Sequence, residues 1–394
     1  MAPYNVRWGI LATGGIADAF VRDLLLDPAA RSASDVSHTV VAVSSSSSAS
    51  RAEKFIADTG IPSPCAAYGS YEALAADPNV DVVYVATPHS HHFQNVMLIL
   101  EAGKHVLCEK AFTVNAQQTR ILVETARKKN LFLMEAVWTR YFPLSIEIRD
   151  LIKAGAIGEV LRVSADNSFG GVEKFSTEHR MVNKDLAGGA LLDRICSNAN
   201  VGTVGIYSLT WVFQTLYHTL PKESRKPPSR VSAHITPYHL TGADEATTIL
   251  LSFPTSTPAN AKHPGESQAI ATTHLRVWTD PDETNAARPA IRIQGTKGEI
   301  QVDGPAFRPT VYRIIPQKGE GDVKEKKFTF PSDGRGMYYE ADEVARCLRD
   351  GKLESDTLSL EESIVIMDVM DEARKQNGLT YPEKIESTVY PTQL

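Results

Sequence analysis

Residues suited to handling a nucleotide and moving a proton gather early in this chain. The segment Gly9-Ile-Leu-Ala12-Thr13-Gly14-Gly15-Ile16-Ala17 follows a short apolar run, Val6–Leu11, and opens an amphipathic stretch, Ile16–Leu26. A dinucleotide-binding turn needs small residues where the backbone approaches the pyrophosphate, which then rests on amides at the helix N-terminus. Gly14 allows that approach and Ala17 permits helix–strand packing, while Ala12 stands in the turn where a further glycine is expected. Thr13, Gly14, Gly15 and Ile16 are therefore candidate cofactor contacts. A run of serines, Ser44–Ser48, then Arg51, ends the second strand, where NAD sites carry an acidic residue for the ribose 2′-hydroxyl. A carboxylate there would repel a 2′-phosphate, whereas hydroxyls and a guanidinium bind it. Ser45, Ser46 and Arg51 thus favour NADP over NAD.

Two further segments end predicted strands, where open α/β sheets bind ligands. One is Val85-Ala86-Thr87-Pro88-His89-Ser90-His91-His92 and the other Val106-Leu107-Cys108-Glu109-Lys110-Ala111. Three histidines could suggest a metal, but no neighbouring Cys, His or Asp cluster completes a ligand set, and none is expected. Glu109 and Lys110, set after a buried strand, bring charge to the nicotinamide end of the cleft. Thr87 and Pro88 are expected on its wall.

The elements that must position these residues are legible from periodicity. Short apolar runs at Val6–Leu11, Val40–Val43, Val80–Ala86, His105–Cys108 and Leu131–Ala136 alternate with helix-patterned Arg51–Thr59, Phe93–Ala102 and Ala116–Lys129. Apolar strands separated by amphipathic helices require a parallel sheet covered on both faces, so residues 1–136 read as a doubly wound, Rossmann-type α/β domain. After Pro143 the pattern changes. One helix, Leu144–Ala154, precedes strand candidates at Glu159–Ser168, Val231–Leu240, Ala246–Phe253, Ala269–Trp278, Ala290–Gly295, Glu299–Val302, Thr310–Ile315 and Lys326–Phe330. Helical periods return at Tyr339–Arg349 and Leu360–Lys375. Residues 137–394 thus read as an α+β domain on a mostly antiparallel sheet.

Bulk properties fit. At 394 residues, with 42% apolar and 22% charged, the chain is a two-domain globular protein. A net charge of −6 disfavours a nucleic-acid partner. No stretch suits a signal peptide or a membrane span, and the four cysteines are widely separated, so a reduced, cytoplasmic setting is expected.

Together, the Gly-rich turn, Ala86-Thr-Pro-His-Ser-His-His92, Glu109-Lys-Ala111 and Met134-Glu-Ala-Val-Trp-Thr-Arg-Tyr-Phe-Pro143 resemble the glucose–fructose oxidoreductase/inositol dehydrogenase (Gfo/Idh/MocA) family. The likeness continues through Gly188-Gly-Ala-Leu-Leu-Asp193, Gly295-Thr-Lys-Gly298 and Gly336-Met-Tyr-Tyr-Glu340, and is strongest to its NADP-dependent D-xylose and dihydrodiol dehydrogenase branches. The resemblance implies NADP-dependent oxidation of an aldopyranose at C1 to the lactone, or of a trans-dihydrodiol, by a homodimer joined through its open sheet. An inactive NADP-binding sensor is the reading from another class. Lys110 matches the lysine of the family's Glu-Lys-Pro motif, with Ala111 in place of proline. Trp138, Arg140 and Tyr141 match the segment lining the nicotinamide and substrate pocket, and His92 matches a residue bordering the cofactor. Tyr207 matches the acid–base tyrosine and Asp193 the aspartate before it. A free tyrosine, titrating at about 10, is a weak base at neutral pH, and a nearby ammonium favours its phenolate.

Family members run Asp-x-x-x-Tyr within one turn, whereas here an additional Arg194–Thr203 lies between Asp193 and Tyr207. Either these residues leave the helix and Tyr207 re-enters the pocket, or the helix continues and puts Ser197 at the tyrosine's place.

Overall fold

The computed structural model describes residues 2–192, 194–196, 201–203, 205–254, 265–287 and 289–394. Strand and helix alternate first: β1 (Tyr4–Leu11), α1 (Gly15–Leu24), β2 (Val36–Ser44), α2 (Ala49–Thr59), β3 (Ala66–Tyr68), α3 (Tyr71–Ala75), β4 (Val82–Val85), α4 (His89–Glu101), β5 (His105–Glu109), α5 (Ala116–Lys129) and β6 (Leu133–Ala136). All pairings are parallel, in the order β3-β2-β1-β4-β5-β6. The order reverses beside β1, and the cleft above the strand ends is the ligand-binding crevice of such sheets. Local chemistry sets the helix limits. Ser48 and Asn115 cap α2 and α5 by accepting from the amides of Arg51 and Gln118. Gly60 and Asn130 end them in the left-handed conformation.

The chain continues through α6 (Pro143–Lys153), β7 (Val160–Asp166), β8 (Arg194–Cys196), β9 (Val201–Thr203), α7 (Gly205–Leu216), β10 (Arg230–Pro237), β11 (Asp244–Pro254), β12 (Glu266–His274), β13 (Ile291–Gly295), β14 (Gly298–Val302), β15 (Val311–Pro316), β16 (Lys324–Lys327), α8 (Tyr338–Arg349) and α9 (Leu360–Gln376). An eight-stranded sheet runs β10-β11-β12-β7-β13-β14-β15-β16, antiparallel except between β12 and β7. The expected α/β fold with a second, mostly antiparallel sheet is the fold observed. No helix among the described residues is long and apolar enough to cross a membrane.

Helices α8 and α9 return to the first sheet. Asp342 of α8 takes Arg31 at 2.8 Å and His38 at 2.9 Å. On α9, Asp368 pairs with Arg120, and Asp371 accepts the Ala116 amide that opens α5. Glu362 of α9 reaches between the two sheets. It accepts from Arg140 at 2.7 Å and from His218, beyond the end of α7, at 3.1 Å; Arg140 also donates to the Thr357 carbonyl. Burial alone would raise the Glu362 carboxyl, but Arg140 and His218 outweigh it and hold it below its ordinary value. Burial pushes the His218 imidazole down to about 4, leaving Arg140 as the positive partner at neutral pH.

Removing one partner of a buried ion pair strands the other. Arg140→Met is expected to cost about 3–5 kcal/mol, read as a lower urea midpoint, and adding Glu362→Leu to recover most of it. An unchanged midpoint in Arg140→Met would show that the pair does not hold the two sheets together.

Candidate active site

The Gly-rich turn joins β1 to α1, and its amides open on a cleft of about 320 Å³. Thr13, Gly14, Gly15, Ile16, Ser45, Ser46, Arg51 and Pro88 line it, as does Arg180 from the second half of the chain. Gly14 is the N-cap of α1 and supplies no side-chain acceptor, so the first-turn amides face the cleft. A Cβ built at Gly14 meets nothing within 4 Å, so the backbone there borders open space. Ala12 takes φ +87°, the left-handed conformation anticipated for glycine at this point of the turn. Ser48 caps α2 and thereby sets Arg51 in the first turn of that helix, at the cleft edge. An uncapped helix N-terminus next to hydroxyls and a guanidinium fits a dinucleotide carrying a 2′-phosphate.

Ile16 also borders a small inner cavity with Glu109, Lys110, Trp138, Tyr207 and Met337. Here the Lys110 Nζ lies 5.6 Å from the centre of the Tyr207 ring, with Lys110 3% and Tyr207 1% exposed. The turn carrying Lys110 is fixed from β4 and α4. Tyr84 donates to Glu109 Oε1, and His89 Nε2 donates to the Lys110 carbonyl at 2.9 Å. His92 bridges two strand-end turns, its Nε2 2.8 Å from the Thr87 carbonyl and its Nδ1 3.0 Å from that of Ala111. Beside this turn, burial pushes the Glu135 carboxyl up to about 7, against the Ser363 hydroxyl, the Phe112 amide and Lys110.

Tyr207 stands in the first turn of α7, and two contacts set where α7 starts. The Gly205 amide donates to the Ala190 carbonyl at 2.6 Å, and a Cβ at Gly205 would lie 2.8 Å from the Leu191 carbonyl oxygen. The Ala190–Leu191 segment is in turn held to β11, since its two amides donate to the backbone and side chain of Asp244. Burial pushes the Asp244 carboxyl up to about 6. Between these anchors Arg194–Cys196 pairs antiparallel with Val201–Thr203. The helix therefore does not continue through 194–196, which corrects the alternative that put Ser197 in the tyrosine's place. Asp193 and Ser197 themselves lie outside the described residues.

Not every expected contact reaches these cavities. Thr87 is buried and its hydroxyl accepts from Asn95, so Thr87 and His92 brace the wall from behind. Arg140 lines neither cavity, being taken up by Glu362 and Thr357, and Tyr141 opens on a separate surface cleft with Arg31 and Glu343. Sequence reasoning missed Arg180 and Tyr71 on the cofactor cleft, and Phe307, whose ring centre is 6.1 Å from that of Tyr207. Arg180 and Tyr71 stand in no motif, and a single sequence holds no signal for them. Met337 lies within the Gly336–Glu340 segment that had already drawn notice.

The chain is similar to known proteins over nearly its whole length. A family model described as an oxidoreductase family with an NAD-binding Rossmann fold, GFO_IDH_MocA, matches residues 6–137. The chain is 55% identical to a D-xylose 1-dehydrogenase (NADP(+)) of Hypocrea jecorina, spanning 98% of this chain and 96% of that protein. It is 36% identical to human trans-1,2-dihydrobenzene-1,2-diol dehydrogenase, spanning 96% of this chain and 98% of the other. An aldose–aldose oxidoreductase from Caulobacter crescentus shares the fold at TM-score 0.71 and 19% identity, over 95% of this chain and 98% of that one. With relatives of this identity spanned almost end to end, and with the dinucleotide crevice and Lys110 turn in place, the chain belongs to the Gfo/Idh/MocA family of oxidoreductases.

Proposed function

We propose that the chain is an NADP-dependent dehydrogenase that oxidises an aldopyranose such as D-xylose at C1 to the lactone. The observation that carries this reading is the Lys110 ammonium 5.6 Å from the Tyr207 ring, where the inner cavity meets the cofactor cleft at Ile16. The 55% identical relative, named for this activity, supports it, while those named for dihydrodiol oxidation stand at 36%. The intact Lys110–Tyr207 pair argues against an inactive sensor.

In this reading the amides of Thr13–Ile16 hold the pyrophosphate of NADP, Ser45, Ser46 and Arg51 hold its 2′-phosphate, and Arg180 closes on it from the second domain. When bound, NADP⁺ accepts the hydride that leaves C1 of the sugar. Tyr207 takes the proton of the C1 hydroxyl, so a C=O bond forms as the C–H bond breaks. Lys110 places positive charge where the phenolate forms and orients the hydroxyl. Asp193 is assigned a supporting role by its match to the aspartate that precedes the family's tyrosine. The chain works as a homodimer through the outer face of the eight-stranded sheet, where Leu250, 49% exposed, stands opposite Ile270.

Arg51→Ala is expected to weaken NADPH binding by tenfold or more, about 1.4 kcal/mol, and to leave NADH binding within about twofold. Equal losses for both nucleotides would remove the 2′-phosphate assignment. Lys110→Met should lower kcat by about 10²–10⁴-fold with NADPH binding retained, in assays on D-xylose, other aldoses and a trans-dihydrobenzenediol. Near-normal turnover by this variant would end the proposed chemistry, and faster oxidation of the diol than of any sugar would replace the substrate. Sedimentation is expected to give about twice 43.1 kDa for the native chain and the monomer mass for Leu250→Asp; a monomeric native chain would refute the dimer.

A further inference from the structure

The nucleotide cleft carries two cationic side chains among the described residues, Arg51 and Arg180, and they enter from different halves of the chain. Arg51 opens α2 beside Ser45 and Ser46, where the reading above places the 2′-phosphate. Arg180 comes in nearer the Lys110 end. Its charge acts on His89, the residue after Pro88, whose Nε2 donates to the Lys110 carbonyl at 2.9 Å. Burial, then the charges of His92, Arg180 and Lys110, hold the His89 imidazole well below its ordinary value, so it is neutral at neutral pH. Between the 2′-phosphate and the nicotinamide of a bound dinucleotide lies its pyrophosphate. A guanidinium matches phosphate oxygens with parallel hydrogen bonds.

The residues around Arg180 form a block with a small core of its own. Met181 and Val182 bury their side chains with Val172, Ala190, Tyr238 and Leu275, apart from the main core. Within the block the chain doubles back on the arginine. The Asn183 amide donates to the His179 carbonyl at 3.1 Å, and the Gly188 amide to that of Asn183 at 2.9 Å. A Cβ at Gly188 would stand 2.2 Å from the Arg180 carbonyl oxygen, so only glycine permits this contact. Two residues on, the Ala190 carbonyl accepts the Gly205 amide that starts α7, the helix of Tyr207. Arg180 and the start of the tyrosine helix are thus mounted on one short stretch of backbone. Regions with few buried side chains hold their positions with the least free energy, and a ligand that binds them adds to it.

Resting on the dehydrogenase reading above, we propose that Arg180 is a positioning residue: it binds the pyrophosphate of NADP and thereby sets Tyr207, so that the nucleotide completes the sugar site and binds before the sugar. Arg180 touches no reacting atom. Its contribution is a coupling between nucleotide and sugar affinity, carried by the pyrophosphate rather than by the nicotinamide.

The test titrates D-xylose by calorimetry into the native chain alone, saturated with adenosine 2′-phosphate, or saturated with 2′-phospho-ADP-ribose, which has the pyrophosphate and no nicotinamide. The second nucleotide is expected to tighten xylose binding about tenfold, and the first to leave it within about twofold. Arg180→Ala should abolish the tightening, weaken NADPH binding about tenfold and lower kcat at saturating NADP⁺ about tenfold. Arg180→Lys should lose less, and millimolar guanidinium ion should restore turnover to Arg180→Ala. Equal effects of the two nucleotides on the native chain, weaker NADPH binding with kcat unchanged, or a fall in kcat that guanidinium does not restore would each overturn the positioning role while leaving the dehydrogenase intact. If Arg180→Ala does not fold, the two nucleotides on the native chain decide alone. Failure of the native chain to oxidise any sugar would instead count against the dehydrogenase reading and take this one with it.

Discussion

A buried ammonium group costs several kcal/mol in lost hydration unless the charges and dipoles around it are fixed beforehand. Lys110, 3% exposed, meets that condition because its turn is tied down from two directions. The Tyr84 hydroxyl comes from β4 to Glu109, and His89 and His92 come from α4 to the carbonyls of Lys110 and Ala111. Register makes this possible: β4 and β5 pair with Tyr84 beside Leu107 and Val85 beside Cys108, so both strands end at one level. The two histidines are three residues apart and share one face of α4. Part of the sequence that resembles a metal site is thus a brace for a charged side chain.

The phenol that faces this ammonium belongs to the other half of the chain, so the two halves must be held in register to a fraction of an ångström. One apolar core drawing on both sheets packs them together. Buried charges add to that packing, because moving Arg140 away from Glu362 would leave an unmatched charge in a dry interior. Helix α9 carries that carboxylate along with Asp368 and Asp371, which grip α5, and Ser363, which bonds Glu135 beside the Lys110 turn. One C-terminal helix therefore ties the nucleotide sheet, the lysine turn and the tyrosine helix into one frame.

Much of this was readable from residue order. Periodicity located β1, β4, α5 and the strands of the second sheet because those elements bury one face or both, and burial imprints a period on the sequence. The short β3 and α3 left no period long enough to detect. Side-chain direction was less legible than position. Trp138 and Arg140 are two residues apart in one turn of 3-10 helix, where each residue turns the direction by about 120°, so one reaches the cavity and the other a buried carboxylate. Arg180 comes from an irregular segment between short turns, and only the folded chain brings it to Pro88 and the Gly-rich turn.

The interrupted Asp–Tyr motif shows where the physical constraint lies. A spacing of one helical turn is one way to keep two side chains together, and it is not the only one. In this chain Ala190 and Leu191 are joined to Gly205 by the Gly205–Ala190 hydrogen bond and by the contact of Gly205 with Leu191. Closing a loop whose ends are pinned side by side costs an entropy that grows only as the logarithm of its length. The paired strands β8 and β9 recover part of that cost through their own hydrogen bonds. The position of Tyr207 is therefore set by the two anchors and by Asp244, which holds the first of them to the sheet.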